Sequence, residues 1–157
     1  MSFRLEMLQV ARLSPKQLGD SATLVEQFLY SQLNEDGGFR DRSGKSDLYY
    51  SVFGLEGLIA LRAELPAASV SSYLRGFGAG KELDLLHLCC LIRCWADICR
   101  SAPPLDAEVL TARIEAHRTL DGGYNTDPMP PAERPMALSW PWAPTRICGA
   151  RCHRPKA

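Results

Sequence analysis

The chain carries no excess of either charge. Its 18 lysines and arginines balance 18 aspartates and glutamates, so no net field gathers nucleic acid or an anionic membrane. Long apolar runs are missing as well: Arg, Glu, Ser or Gly interrupts each hydrophobic stretch, and none approaches the roughly 18 residues of a membrane-spanning helix. The opening residues, Met1-Ser-Phe-Arg-Leu-Glu6, hold no basic region followed by an apolar one, so no secretory signal is read there and a cytoplasmic protein is expected. The apolar/polar alternation of a half-buried strand is also absent. At 157 residues there is room for one sizeable core but not for two ordinary domains.

The cysteines do not form the pattern of a disulfide scaffold. Cys89, Cys90, Cys94 and Cys99 crowd one stretch, and Cys148 and Cys152 lie in the last ten residues. Cys90 and Cys94 share helical spacing with Leu83 and Leu86, which predicts buried, reduced thiols on an apolar helix stripe. Cys89-Cys90-x-x-x-Cys94 contains no Cys-x-x-Cys pair, so the usual signature of a metal cluster is missing.

What is present is helical periodicity. A first helix is expected over about 3–13, carrying Leu5, Leu8 and Val10 and stopped by Ser14-Pro15. A second runs from a cap at Asp20 or Ser21 to Leu33, with Leu24, Val25, Phe28 and Leu29 on one face; Gly37 and Gly38 then supply its C-terminal cap. A third spans Ser46 or Asp47 to about Glu64, a fourth roughly Ala67 to Leu74, a fifth Asp84 to Arg100. A sixth follows Pro103-Pro104 and reaches about Arg118. The fold class is therefore all-α, built from helical hairpins.

The hairpins repeat. Asp36-Gly-Gly-Phe39 returns as Asp121-Gly-Gly-Tyr124, and Arg75-Gly-Phe77-Gly-Ala-Gly80 reads as a degraded copy between them. Asp47-Leu-Tyr-Tyr50 and Asp84-Leu-Leu-His87 open two helices 37 residues apart, each after a Gly-Lys, at Gly44-Lys45 and Gly80-Lys81. A single Asp or glycine pair is adequately explained as a helix cap. The same order of turn, lysine and Asp-started helix, met twice, points to repeated units.

These motifs resemble the α/α-toroid repeats of protein prenyltransferase β subunits and, more distantly, squalene cyclases. The likeness rests on Gln32-Leu-Asn-Glu-Asp-Gly-Gly-Phe39, Arg42-Ser-Gly-Lys45, Asp47-Leu-Tyr-Tyr-Ser-Val-Phe-Gly-Leu-Glu-Gly-Leu58 and Asp121-Gly-Gly-Tyr124, over about residues 23–126. It implies helical hairpins forming an incomplete α/α-toroid arc, with inner-helix N-termini lining one rim, where helix dipoles favour an anion. By the same resemblance Arg42, Lys45 and Tyr50 would bind the diphosphate of a prenyl donor, while Asp47 and His87 would bind zinc. The zinc would hold a Cys-containing protein or peptide as its thiolate. An α-type helical subunit or self-association is the implied assembly. Tyr49 stands where the family has its metal-binding Cys, and a rival register puts Tyr50 on the His position instead, so either way the zinc set is one ligand short.

The chemistry of such a transfer needs cations for the leaving group and an apolar tube for the isoprenoid. Arg42, Lys45 and Lys81 supply cations, and Phe39, Tyr49, Phe53 and Phe77 supply aromatic surface. Each has a plainer alternative: a solvated turn for the cations, core packing for the aromatics, a hydrogen-bonded helix histidine for His87. No role is read for His117 or His153. The alternative function is a non-enzymatic α/α repeat module that binds a lipid or a protein partner.

Residues 1–127 thus form the repeat region, and residues 128–157 form a Pro/Arg-rich irregular tail. The tail holds seven of the eleven prolines, and after Glu133 its charges are all positive. Such a segment is expected to add little to the fold. Its codons offer an explanation. Moved two nucleotides downstream, Met136-Ala137 becomes Gly, Trp140-Pro141 becomes Ala and Trp142-Ala143 becomes Gly. The shifted frame permits Tyr-Gly-x-Phe-Leu-Ala-Leu-Gly-Ala-Tyr-Gln-Asp-Leu, an apolar helix where the repeat calls for one. The tail is accordingly expected to be out of frame.

Overall fold

A computed structural model of the chain describes residues 3–98 and 107–128. Expectations placed on Cys99, Arg100, Pro103-Pro104, Cys148, Cys152, His153 and the tail after Pro128 fall outside the described residues. The described chain is all-α: α1 (Phe3–Ala11), α2 (Ser14–Leu18), α3 (Ser21–Ser31), α4 (Leu48–Leu61), α5 (Ala67–Arg75), α6 (Leu85–Ile98) and α7 (Ala107–Glu115). No strand forms among the described residues, although three isolated backbone bridges close tight turns.

Helices α4 and α6 are central. Helix α3 flanks α4, while α5 and α7 flank α6. His87 near the start of α6 reaches Asp47 at the start of α4, Arg93 further along reaches Glu56 further along α4, and Cys94 Sγ lies 3.9 Å from Leu48 O. Helices α4 and α6 are therefore parallel, their N-termini at one end of the molecule. Between them sits the core, in which Val52, Leu55 and Leu58 of α4 and Leu88, Leu91 and Cys94 of α6 are almost completely buried. Removing these side chains from water is the main favourable term holding the pair together.

Several expectations need correction. Ser14-Pro15 ends α1 but also opens α2; a proline in the first helical turn lacks only an N–H that would go unpaired there anyway. Val10 is mostly exposed, as are Leu24 and Phe28 of α3, and of the predicted α3 face it is Leu29 that packs against the core. On α6 the stripe is Leu88, Leu91, Cys94, Trp95 and Ile98, with Cys90 buried beside it. Only Leu86 departs from the expected stripe, being exposed; Leu83, just before the helix, packs against the core, and Cys90 and Cys94 are buried free thiols as expected. Asp20 makes no side-chain cap.

The glycine pairs have a different role from the one expected. Helix α3 ends at Ser31 with Gln32 still in the right-handed region, so Gly37 and Gly38 do not cap it. They form instead the tip of a small hairpin. Asn34 N–H donates to Gly38 O at 2.9 Å, Gly37 N–H to Asn34 O at 3.0 Å and Gly38 N–H to the Asp36 carboxylate at 2.9 Å, and Leu33 bridges Phe39. The second motif repeats this bond for bond 85 residues later. Thr119 N–H donates to Gly123 O at 2.9 Å, Gly122 N–H to Thr119 O at 3.0 Å and Gly123 N–H to the Asp121 carboxylate at 3.2 Å, and Arg118 bridges Tyr124. Gly37 and Gly122 share the positive φ that such a tip requires, 92° and 87°. The degraded copy lacks the hairpin, although Gly78 and Gly80 also have positive φ, 50° and 67°. Residues 75–80 form successive tight turns, with Gly78 N–H donating to Arg75 O and Gly80 N–H to Phe77 O, and no bridge closes them.

Met7, Val10 and Leu13 of the N-terminal segment, with Leu24 and Phe28 of α3, leave apolar surface facing solvent. The chain is expected to self-associate at high concentration. Sedimentation of a Leu24→Ser, Phe28→Ser variant should show a lower mean mass than the parent, and equal masses would remove this edge as the cause.

Candidate functional site

The parallel arrangement of α4 and α6 brings two aspartate caps and one histidine together. Asp47, extended at φ −141°, accepts Tyr50 N–H at 3.1 Å and so caps α4. Asp84 does the same for α6, accepting His87 N–H at 2.8 Å. The His87 ring then joins the helices: Nδ1 lies 2.8 Å from the Asp84 carboxylate and Nε2 lies 3.8 Å from Asp47 Oδ2. Hydrogen bonds from the His87 backbone and ring hold the Asp84 carboxyl below its ordinary range. The family resemblance implied that Asp47 and His87 come together, and the contact with Asp84 makes His87 the hydrogen-bonded helix histidine of the plainer alternative.

The preceding turn carries the cations. Asp41 accepts Ser43 N–H and Oγ–H, each at 2.7 Å, and Lys45 N–H at 3.0 Å, and this folds 41–45 into a tight loop. The Ser43 hydroxyl, with the loop's backbone N–H groups, keeps the Asp41 carboxyl below its usual range. Arg42 and Lys45 point outward from this loop and are exposed. Lys81, the matching lysine before α6, lines a shallow cavity of about 380 Å³ together with Arg75, Phe77 and Leu83. A larger cavity, about 540 Å³ between Arg12, Ile59 and Arg62, lies at the opposite end of α4.

The four expected aromatics divide into two kinds. Phe39 is core, and Phe77 packs against the core beside Tyr73. Tyr49 and Phe53 instead project from the first turns of α4, edge to face at 4.9 Å and about half exposed, and Leu86 is exposed at the start of α6. Tyr50 is half-buried behind them. One end of the α4–α6 pair therefore offers a carboxylate–imidazole cluster, a loop with two free-standing cations and an exposed aromatic face.

No family model matches the chain, and no curated protein or solved structure matches it. The site must stand on its own geometry.

That geometry supplies two facing donors toward a metal. Two donors, Asp47 Oδ2 and His87 Nε2, face one another, Asp84 on His87 Nδ1 holds the ring in that orientation, and the Tyr49 ring is stacked on Phe53. Burial pushes the Cys90 thiol up, against the opposing pull of Arg93. Among the described residues no three His, Cys, Asp or Glu side chains stand where they could hold a metal ion.

His117, to which the sequence assigned no role, closes the second hairpin. It is buried, its Nδ1 lies 3.0 Å from Asn125 O, and its own carbonyl accepts Asn125 N–H at 2.8 Å. Gln32 occupies the equivalent place in the first hairpin, where its carbonyl accepts Arg40 N–H at 2.9 Å.

The Asp84 cap leads to a pH-dependent expectation. Asp84→Ala should cost about 1 kcal/mol, the usual value of a helix N-cap. Because the folded carboxyl titrates below its unfolded value of about 3.9, the contribution is present above that pH and is lost as pH falls through the folded value. Urea titrations should therefore separate parent and variant at pH 7 and bring them together near pH 2. A constant gap at both pH values would mean that the aspartate acts by packing and not as a charged cap.

Proposed function

We propose that this protein is a prenyltransferase-like α/α repeat protein, with its helices arranged as part of a toroid, whose rim binds an isoprenoid diphosphate. One observation carries the reading: His87 of α6 meets the Asp47 cap of α4 across parallel helix N-termini, beside the exposed Tyr49–Phe53 pair and two residues beyond Lys45. The diphosphate would sit at the Arg42–Lys45 loop near the positive ends of the helix dipoles, and the isoprenoid would lie over Tyr49, Phe53 and Leu86. Parallel α4 and α6, with α3, α5 and α7 outside them, support the alternation of inner and outer helices.

No thiol-transfer step through zinc follows from these residues, because the donor set is short of a third ligand. That shortage favours the second reading, a non-enzymatic repeat module that binds a lipid or a protein partner. A fluorescent isoprenoid diphosphate, titrated with and without added zinc and chelator, tests both. Saturable binding that chelator leaves unchanged is expected. Binding that appears only with stoichiometric zinc and is lost in His87→Ala would restore the metal-dependent transferase, and no binding in either condition would dismiss the isoprenoid.

A further inference from the structure

Helix α4 ends, away from the rim, on a strained residue. Arg62 is left-handed, with φ 60° and ψ 26°, and every other positive φ among the described residues belongs to a glycine. Helices commonly end on such a residue, and glycine is favoured there because a Cβ crowds the backbone in that conformation. Arg62 keeps the strain and adds a guanidinium.

The turn that carries it is well fixed. Arg62 N–H donates to Ile59 O at 3.1 Å, Ala63 N–H to Leu58 O at 3.0 Å, and the Tyr30 hydroxyl of α3 donates to Glu64 O at 2.5 Å. Ala63 and Leu65 pack against the core. The α1–α2 turn brings Arg12, with Leu13 N–H on Val10 O at 3.0 Å and Lys16 N–H on Leu13 O at 3.1 Å. Both turns line the cavity of about 540 Å³: Ile59, Ala63 and Leu65 give it apolar walls, and Arg12 and Arg62 give it positive charge.

Among the described residues no carboxylate pairs with either guanidinium, whereas Arg93 has Glu56 and Arg118 has Glu115. One exposed arginine at a helix C-terminus is explained by the helix dipole. Two of them lining one cavity repel each other, and one stands where glycine would fit better. An anion held by both converts that repulsion into attraction, and a guanidinium fork matches a carboxylate or phosphate. The cavity is of the size that small organic ligands occupy, roughly 300–1,000 Å³, and its aliphatic walls suit an apolar body.

We infer that this cavity binds an amphipathic organic anion, with its carboxylate or phosphate head on Arg12 and Arg62 and its apolar body against Ile59, Ala63 and Leu65. The site lies at the other end of α4 from the Arg42–Lys45 loop and holds whether or not the rim binds an isoprenoid.

Isothermal titration of the full chain carrying Arg42→Ala and Lys45→Ala provides the test, because those changes remove the rim cations. Octyl phosphate and octanoate are the probes, and the tighter of the two identifies the head group. Saturable binding of at least one is expected, with inorganic phosphate and uncharged octanol at least tenfold weaker. Adding Arg12→Gln or Arg62→Gly should weaken the binding at least tenfold. Arg62→Gly should at the same time keep or raise the melting temperature, since glycine relieves the backbone at φ 60°. No saturable binding of either probe would overturn the inference, as would undiminished affinity in either arginine variant. Equal binding of inorganic phosphate would reduce the site to a bare anion contact, and equal binding of octanol would leave the charge without a role. A lower melting temperature in Arg62→Gly would show that the arginine serves the turn and not a ligand.

Discussion

Gly37→Ala should destabilise the protein by about 3–4 kcal/mol, and Gly122→Ala, at the same place in the second hairpin, by only about 1–2 kcal/mol. Both substitutions force a side chain into the left-handed region, at φ 92° and 87°, which costs about 1–2 kcal/mol. Only the first also drives a Cβ to 2.0 Å from the Ser69 carbonyl, so α5 must move away from the hairpin. Overpacking of that kind adds about 1–3 kcal/mol. Backbone atoms are involved, and no rotamer change can relieve the clash. Urea denaturation followed by helical circular dichroism measures both variants. Equal losses would show that α5 does not press on the first hairpin, and the contrast between covered and uncovered turns would go with it.

Replacing Arg42 and Lys45 together by alanine should weaken binding of an isoprenoid diphosphate by at least a hundredfold while leaving stability within about 0.5 kcal/mol of the parent. Both side chains are exposed on a loop whose shape is set by Asp41, so their loss removes cations without removing packing. The same binding should fall with rising salt, because charges this exposed are screened over about 10 Å at 0.1 M ionic strength. Unchanged affinity in the double variant would reduce Arg42 and Lys45 to solvated loop charges and move any ligand elsewhere.

Much of the fold was legible because its signals are local. Asp47 and Asp84 announce their helices through a side chain that reaches its own N-terminal turn, and no distant residue is needed for that. The helix interruption at Ser14-Pro15 was also read correctly as a break; that a new helix starts there depends on a proline's tolerance in a first turn and was overlooked. The Asp-Gly-Gly-aromatic motif was recognised as a repeat, but it was assigned to helix capping. Glycines that end a helix and glycines that turn a hairpin share the same backbone freedom, and only the bonds Asn34 to Gly38 and Thr119 to Gly123 distinguish them.

The candidate site divides in the same way. Asp47, His87, Arg42, Lys45 and Tyr50 could be named only through the resemblance to the prenyltransferase repeats, which also put Tyr49 in the place of a thiol. That His87 touches both Asp84 and Asp47 required the two helices to lie parallel with their starts together, an outcome of packing Leu48–Leu61 against Leu85–Ile98. The sequence by itself determined the main helices, the Asp47 and Asp84 caps and the recurrence of the two Asp-Gly-Gly turns, because each depends on residues within a few positions of one another. Tertiary structure alone decided that Phe39 is core and Tyr49 surface, that Leu86 faces out while Leu88 faces in, and that one hairpin is covered and its twin exposed. These are questions of which distant element arrives on a given face, and periodicity, which repeats identically along a helix, carries no information about that.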